Sequence, residues 1–336
     1  MTPDSYWIFN KSYKDFLFLV LPAYITIIVA KIIHPTSWVD MVVLFIVFHV
    51  IDSGHVYLTF YRTHGHRQER ASQSYYLWAP PLILITCALW YLSGGLYFWS
   101  FVTYSTLYHN LRQFYGITRW YQKKEGNFSP WPTRFLYSLM ITPAVGFHFR
   151  NLGELSIYNR QEVFYHPNLT YYKISLAIFM LAMLSWLVYE SFCYFKNNRQ
   201  WSPGRVLSVL TPAAAYSSGL FFGDNYLQII GPMIVAHGIG YWALMGFSMN
   251  RTFANPRLKQ FVPAMVILAI TALVAGTIEW FGEEFLFSWI EEGSQEFTER
   301  LLIALGVGLY LTPLYSHYLF DGFIWKSKHR QAHLIY

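Results

Sequence analysis

The sequence predicts an all-α fold, a polytopic transmembrane helical bundle of about ten spans, and three observations carry that prediction. Apolar residues fill 54% of the 336 positions and charged residues only 12%, against roughly 25% in an ordinary soluble domain. Aromatics reach 20%, with 13 Trp and 27 Tyr, the residues that collect at membrane–water interfaces. Apolar runs near 20 residues, the length needed to cross a hydrocarbon core about 30 Å thick, recur along the whole chain. The same composition excludes disorder, collagen and coiled coil. Cys87 and Cys193, both inside apolar runs, exclude a disulfide scaffold and a Cys-ligated zinc module.

The first run, 16–33, follows Lys11 and Lys14 and ends without a small-residue cleavage pattern, so it is expected to remain as an anchor. The second, 39–60, carries His49, Asp52 and His55. The third, 75–93, meets the fourth, 95–117, across Ser93-Gly94-Gly95, a tight turn that uses glycine's backbone freedom. The fifth, 134–149, is short and contains Pro143; the sixth is 171–194. The seventh, 206–222, and the eighth, 225–247, form a second tight hairpin across Gly223-Asp224-Asn225. The ninth and tenth are 261–281 and 301–325. The connection 282–300 is acidic, and Phe285, Trp289 and Ile290 would hold it against the interface. No break in composition divides the chain, so a single membrane domain, 1–336, is expected.

Charge supports ten spans with both termini cytoplasmic. Alternating sides from a cytoplasmic N-terminus puts 18 of the 24 Lys and Arg inside and five outside, with Arg112 in a helix. Removing the fifth span collapses the split to 13 against 10. The net charge of +6 therefore reads as membrane orientation, not nucleic-acid binding.

Ionisable groups in hydrocarbon are costly and usually mark a site. His55 lies 16 residues after Val39, His109 14 after Gly95, His237 14 after Gly223 and His317 16 after Leu301, each on a helix running inward. At 1.5 Å per residue all four imidazoles fall about 21–24 Å below the outer edge, in one layer. Each has polar company at helical spacing: Asp52 three residues from both His49 and His55, Arg112 and Gln113 after His109, Tyr241 four after His237, and Asp321 four after His317. His64 and His66 follow in the first cytoplasmic loop, placed to close a site from below.

Imidazole is the commonest protein metal ligand, and one cation satisfies several buried nitrogens at once. His55, His109, His237 and His317 are therefore candidate ligands, with His49 a further one nearer the outside. Such a site suits iron, with zinc or copper as alternatives. Asp52 and Asp321 would complete the shell or fix the imidazole tautomers. Arg112 would pair with Asp52, Asp321 or Glu190, and Gln113 would order the polar network.

These dispersed histidines resemble the histidine-rich integral-membrane oxygenases. One branch is the fatty-acid desaturases and hydroxylases; the chain has no HxxHH box, only HVIDSGH at His49–His55 and HGH at His64–His66. The scattered ligands are more similar to the bacterial beta-carotene dioxygenases. The resemblance implies a non-haem iron oxidoreductase in a bacterial-type inner membrane, a lipid-soluble substrate entering from the bilayer, and an electron donor on the cytoplasmic side. A proton- or ion-coupled transporter is the rival, because intramembrane Asp, Glu, His and Arg also build proton relays. Pro80-Pro81, Thr211-Pro212 and Gly231-Pro232 would break its helices as transporters do. A hydrolytic zinc centre, haem ligation and a purely structural role are further alternatives.

Overall fold

The computed structural model describes residues 7–33, 38–65, 74–95, 97–152, 163–196, 201–252, 260–293 and 296–325, and among them all regular structure is helical. Every predicted apolar run has its helix. In chain order these are α1 (Ser12–Ile32), α2 (Asp40–Thr63), α3 (Tyr75–Leu92), α4 (Phe98–Glu125), α5 (Trp131–Phe147), α6 (Leu169–Lys196), α7 (Pro203–Leu220), α8 (Tyr226–Thr252), α9 (Phe261–Glu292) and α10 (Phe297–Ile324). Seven are long and apolar enough to cross a membrane: α1, α2, α3, α6, α8, α9 and α10. The exceptions have local causes. α4 is rich in polar side chains, α5 has only 17 residues, and α7 carries Arg205 and four Ser or Thr.

Two helices outrun their predicted limits. α4 continues to Glu125, and Thr118, Tyr121 and Gln122 in that extension are buried, so much of the expected loop 118–133 is packed helix. α9 continues to Glu292 and absorbs most of the expected acidic loop 282–300. The reason in both is helical periodicity, which carries a packing face past the end of the apolar run.

The chain forms two compact units. In the first, Met1–Asp40 with Trp99–Gly240, α5 packs on α6 and α7, and α7 packs on α1. In the second, Met41–Phe98 with Tyr241–Tyr336, α10 lies along α3, and α9 lies along α2. Glycine permits the close approaches. A Cβ on Gly54 would sit 2.7 Å from Ala272 Cβ, and one on Gly308 would sit 2.6 Å from the Leu84 carbonyl. Within this unit Tyr76, Ala79, Phe320 and Ile324 form a buried cluster.

The hairpin turns work differently from one another. Gly94 and Gly95 have φ of 102° and 56°, which only glycine adopts freely. Gly223 needs no such freedom; a side chain there would strike the Gly219 carbonyl 2.7 Å away. Asn225 Oδ1 accepts from Gln228 N (3.0 Å) while Gln228 Oε1 accepts from Asp224 N (3.1 Å), a reciprocal cap that starts α8.

The expected proline breaks do not occur. Pro80, Pro81, Pro212 and Pro232 all sit inside continuous helices. Pro212 has no N–H for the Ser208 carbonyl one turn back, and Thr118 Oγ1 takes that place as donor at 3.4 Å.

Candidate metal centre

The site begins with an irregularity in α2. Residues Phe45–Ser53 wind as a π-helix, with α-helix resuming at Gly54. The wider turn changes the register, so His49, Asp52 and His55 do not share the single face that α-helical spacing predicts. His49 turns toward α9, its ring 5.9 Å from Phe45 and 6.0 Å from Trp280, with Nδ1 4.0 Å from Glu283 Oε2. His49 is not a member of the histidine group described below.

His55 is buried at 3% exposure, with Nδ1 3.2 Å from the Ile51 carbonyl. A carbonyl only accepts, so Nδ1 carries the proton and Nε2 the lone pair. Asp52 is 3.8 Å from the same nitrogen and its side chain is 32% exposed, so it is not the hydrogen-bond partner that fixes this tautomer. His317, fully buried on α10, stands perpendicular to His55 with ring centroids 5.0 Å apart. Its Nδ1 lies 2.5 Å from Thr59 Oγ1, and Thr59 in turn lies 2.5 Å from Tyr241 OH. Tyr241 OH donates to Asp321 Oδ1 at 2.8 Å.

The first unit supplies a similar pair. His109 on α4 and His237 on α8 stand edge to face, 5.1 Å apart with an interplanar angle of 80°. Gln113 Nε2 donates to the His237 carbonyl at 2.9 Å, tying α4 to α8 one turn from His109.

His55 and His317 in the second unit, and His109 and His237 in the first, are all buried, two facing imidazole pairs with ring centroids 5.0 and 5.1 Å apart. The donor set is all imidazole, a chemistry suited to iron, zinc or copper. Buried imidazoles of this kind can hold a metal ion.

Arg112 is not where the sequence reading puts it. It is exposed, donates to Tyr137 OH at 3.0 Å and stacks 4.7 Å over Tyr115. Its long stem lets the guanidinium leave the core, so no carboxylate partner is required. Glu190 is paired instead by Arg205, at 2.6 Å, and Arg205 also holds Glu125 at 3.0 Å. Burial, only partly offset by Arg205, raises the Glu125 carboxyl above its ordinary range.

His64 does not close the site from below. Its nitrogens meet Thr63 Oγ1 (3.0 Å) and the Tyr76 carbonyl (2.9 Å), and its ring packs on Phe320. His66 lies outside the described residues.

Sequence reasoning missed three groups. Thr59 has no apolar-pattern anomaly, yet it lies four residues after His55, the spacing that singles out Gln113, Tyr241 and Asp321 after the other three histidines. Arg62, one of the 18 basic residues counted on the cytoplasmic side, is 3% exposed, touches the Ser248 hydroxyl and lies 5.4 Å over Trp325. Glu279 is hydrogen-bonded by Ser53 and Tyr57, and it acts electrostatically on Asp52, as does Glu283.

Searches against protein-family models, curated proteins and solved structures each returned no significant match.

Proposed function

We propose that this protein is a metal-dependent membrane oxidoreductase, an oxygenase with non-haem iron held by His55, His109, His237 and His317. The single observation that carries the reading is the burial of all four imidazoles in two facing pairs, His55 with His317 at 5.0 Å and His109 with His237 at 5.1 Å between ring centroids. Four neutral donors on an ion that accepts six leave two positions for substrates, the condition for dioxygen chemistry. Iron bound there supplies activation of dioxygen. The chain's own residues orient the imidazoles, exclude bulk water and keep the surroundings apolar. The substrate is lipid-soluble, fatty-acyl or isoprenoid, and reaches the centre from the bilayer, while an electron donor acts from the cytoplasmic side. Ten spans with both termini inside fit the 18 inner basic residues, and a bacterial-type inner membrane is the setting.

A transporter reading has one observation in its favour. Asp52, Glu279, Glu283 and His49 gather in the second unit, a set of carboxylates of the kind that carries protons. The continuous helices at Pro80-Pro81, Pro212 and Pro232 remove the broken spans that would have supported it.

The test is elemental analysis of gently purified wild type beside His109→Ala and His317→Ala. About one iron per chain in wild type and loss of that iron in both variants, with helical content unchanged, is expected. Metal-free wild type with no effect of chelation on activity would falsify the assignment and leave the transporter ahead.

A further inference from the structure

We propose that Thr59 and Tyr241 are positioning residues for the histidine centre. With Asp321 as final acceptor they form a one-way hydrogen-bond chain that fixes His317 to bind through Nε2. Asp321 serves that chain and is not itself a ligand. The inference rests on the metal reading above and deepens it.

The direction of the chain follows from counting protons. Tyr241 has one hydroxyl proton and gives it to Asp321 Oδ1, 2.8 Å away. The Tyr241 oxygen therefore accepts at its other contact, from Thr59 at 2.5 Å. Thr59 also has one proton, now used, so its oxygen accepts from His317 Nδ1 at 2.5 Å. Nδ1 is thus the protonated nitrogen, and the lone pair sits on Nε2, the tautomer that ligation by Nε2 requires.

Packing holds the same arrangement. Thr59 and His317 are fully buried and Tyr241 is 1% exposed. The Tyr241 ring stands edge-on to His317 at 5.0 Å and to His55 at 5.6 Å, which leaves little room for either imidazole to swing. Asp321 Oδ1 is 3.7 Å from His317 Nδ1, on the side of the ring facing away from an ion at Nε2. A carboxylate there is placed to support the imidazole, not to share its metal.

Cobalt(II), an air-stable spectroscopic stand-in for iron(II), tests this on the full chain in detergent. Affinity is read by chelator competition and ligation by the visible d–d spectrum. Wild type should bind one cobalt per chain. Thr59→Val and Tyr241→Phe should each weaken binding about 10–100-fold, the usual cost of losing a supporting hydrogen bond. The double variant should be little weaker than either single one, because both cut one chain. Thr59→Ser, which keeps the hydroxyl, should restore affinity; a purely packing role for Thr59 would not be rescued this way. Asp321→Asn should keep the wild-type spectrum with weaker binding. Wild-type affinity and spectrum in both Thr59→Val and Tyr241→Phe would overturn the positioning role while the metal centre stood. A changed spectrum in Asp321→Asn, with fewer donors, would make Asp321 a ligand and overturn its assigned place. Absence of cobalt binding in wild type would sink the metal reading and this inference together.

Discussion

The two units treat buried polarity in opposite ways. In the first, Arg205 closes on Glu125 and Glu190 at 3.0 and 2.6 Å, so each charge meets an opposite charge directly. In the second, His317, Thr59, Tyr241 and Asp321 pass hydrogen bonds along a line of neutral groups that ends on one carboxylate. A closed ion cluster serves the stability of the folded chain once formed, since removing a partner strands a buried charge. A directed line fixes which ring nitrogen keeps its lone pair, and so prepares a site. His64 makes the same point within the second unit: Thr63 and the Tyr76 carbonyl occupy both its nitrogens, and it is a packing residue.

The sharpest break of this contrast is Arg205→Ala. With Arg205 only 2% exposed, leaving Glu125 and Glu190 uncompensated should cost about 3–5 kcal/mol, read as a large fall in thermal stability in detergent. Cobalt bound per folded chain should not change; a selective loss of metal would erase the distinction between the two regions. Next comes Gly54→Val, which forces a side chain against Ala272 and should destabilise by about 1–3 kcal/mol. Because Gly54 precedes His55, this variant should also lower cobalt affinity, whereas an unchanged affinity would show that the α2–α9 contact does not set the ligand's position. His64→Ala should cost about 1–2 kcal/mol for its two lost hydrogen bonds and leave cobalt binding intact, as judged by the same titration. Arg112→Ala should be the mildest, within about 0.5 kcal/mol of wild type, because the side chain is exposed and meets only Tyr137 and Tyr115. A larger loss would mean that Arg112 has a buried role after all.

Much of this protein is legible without coordinates. Seven of the described helices are legible from apolar length alone, and His55, His109, His237 and His317 stand out by counting residues at a fixed rise. The errors have one origin. An α-helical wheel drawn for α2 puts His49 beside His55, but the π-helical turns of Phe45–Ser53 send it to Trp280 and Glu283. Hydropathy likewise cannot separate Arg112, which reaches outward, from Arg62, which is buried over the Trp325 ring, since both stand near the ends of apolar runs. Glu283 reads as the edge of an acidic loop because α9 outlasts its apolar stretch, and Glu279 passes unnoticed inside the ninth run.

By itself the sequence determined the multi-pass helical class of the protein and its apolar helices, because the length of an apolar run decides whether a helix can cross a bilayer. Tertiary structure decided which way each side chain faces and with whom it bonds. That depends on local winding and on neighbours distant in the chain, such as Thr59 meeting His317 across 258 residues, and no one-dimensional pattern encodes it.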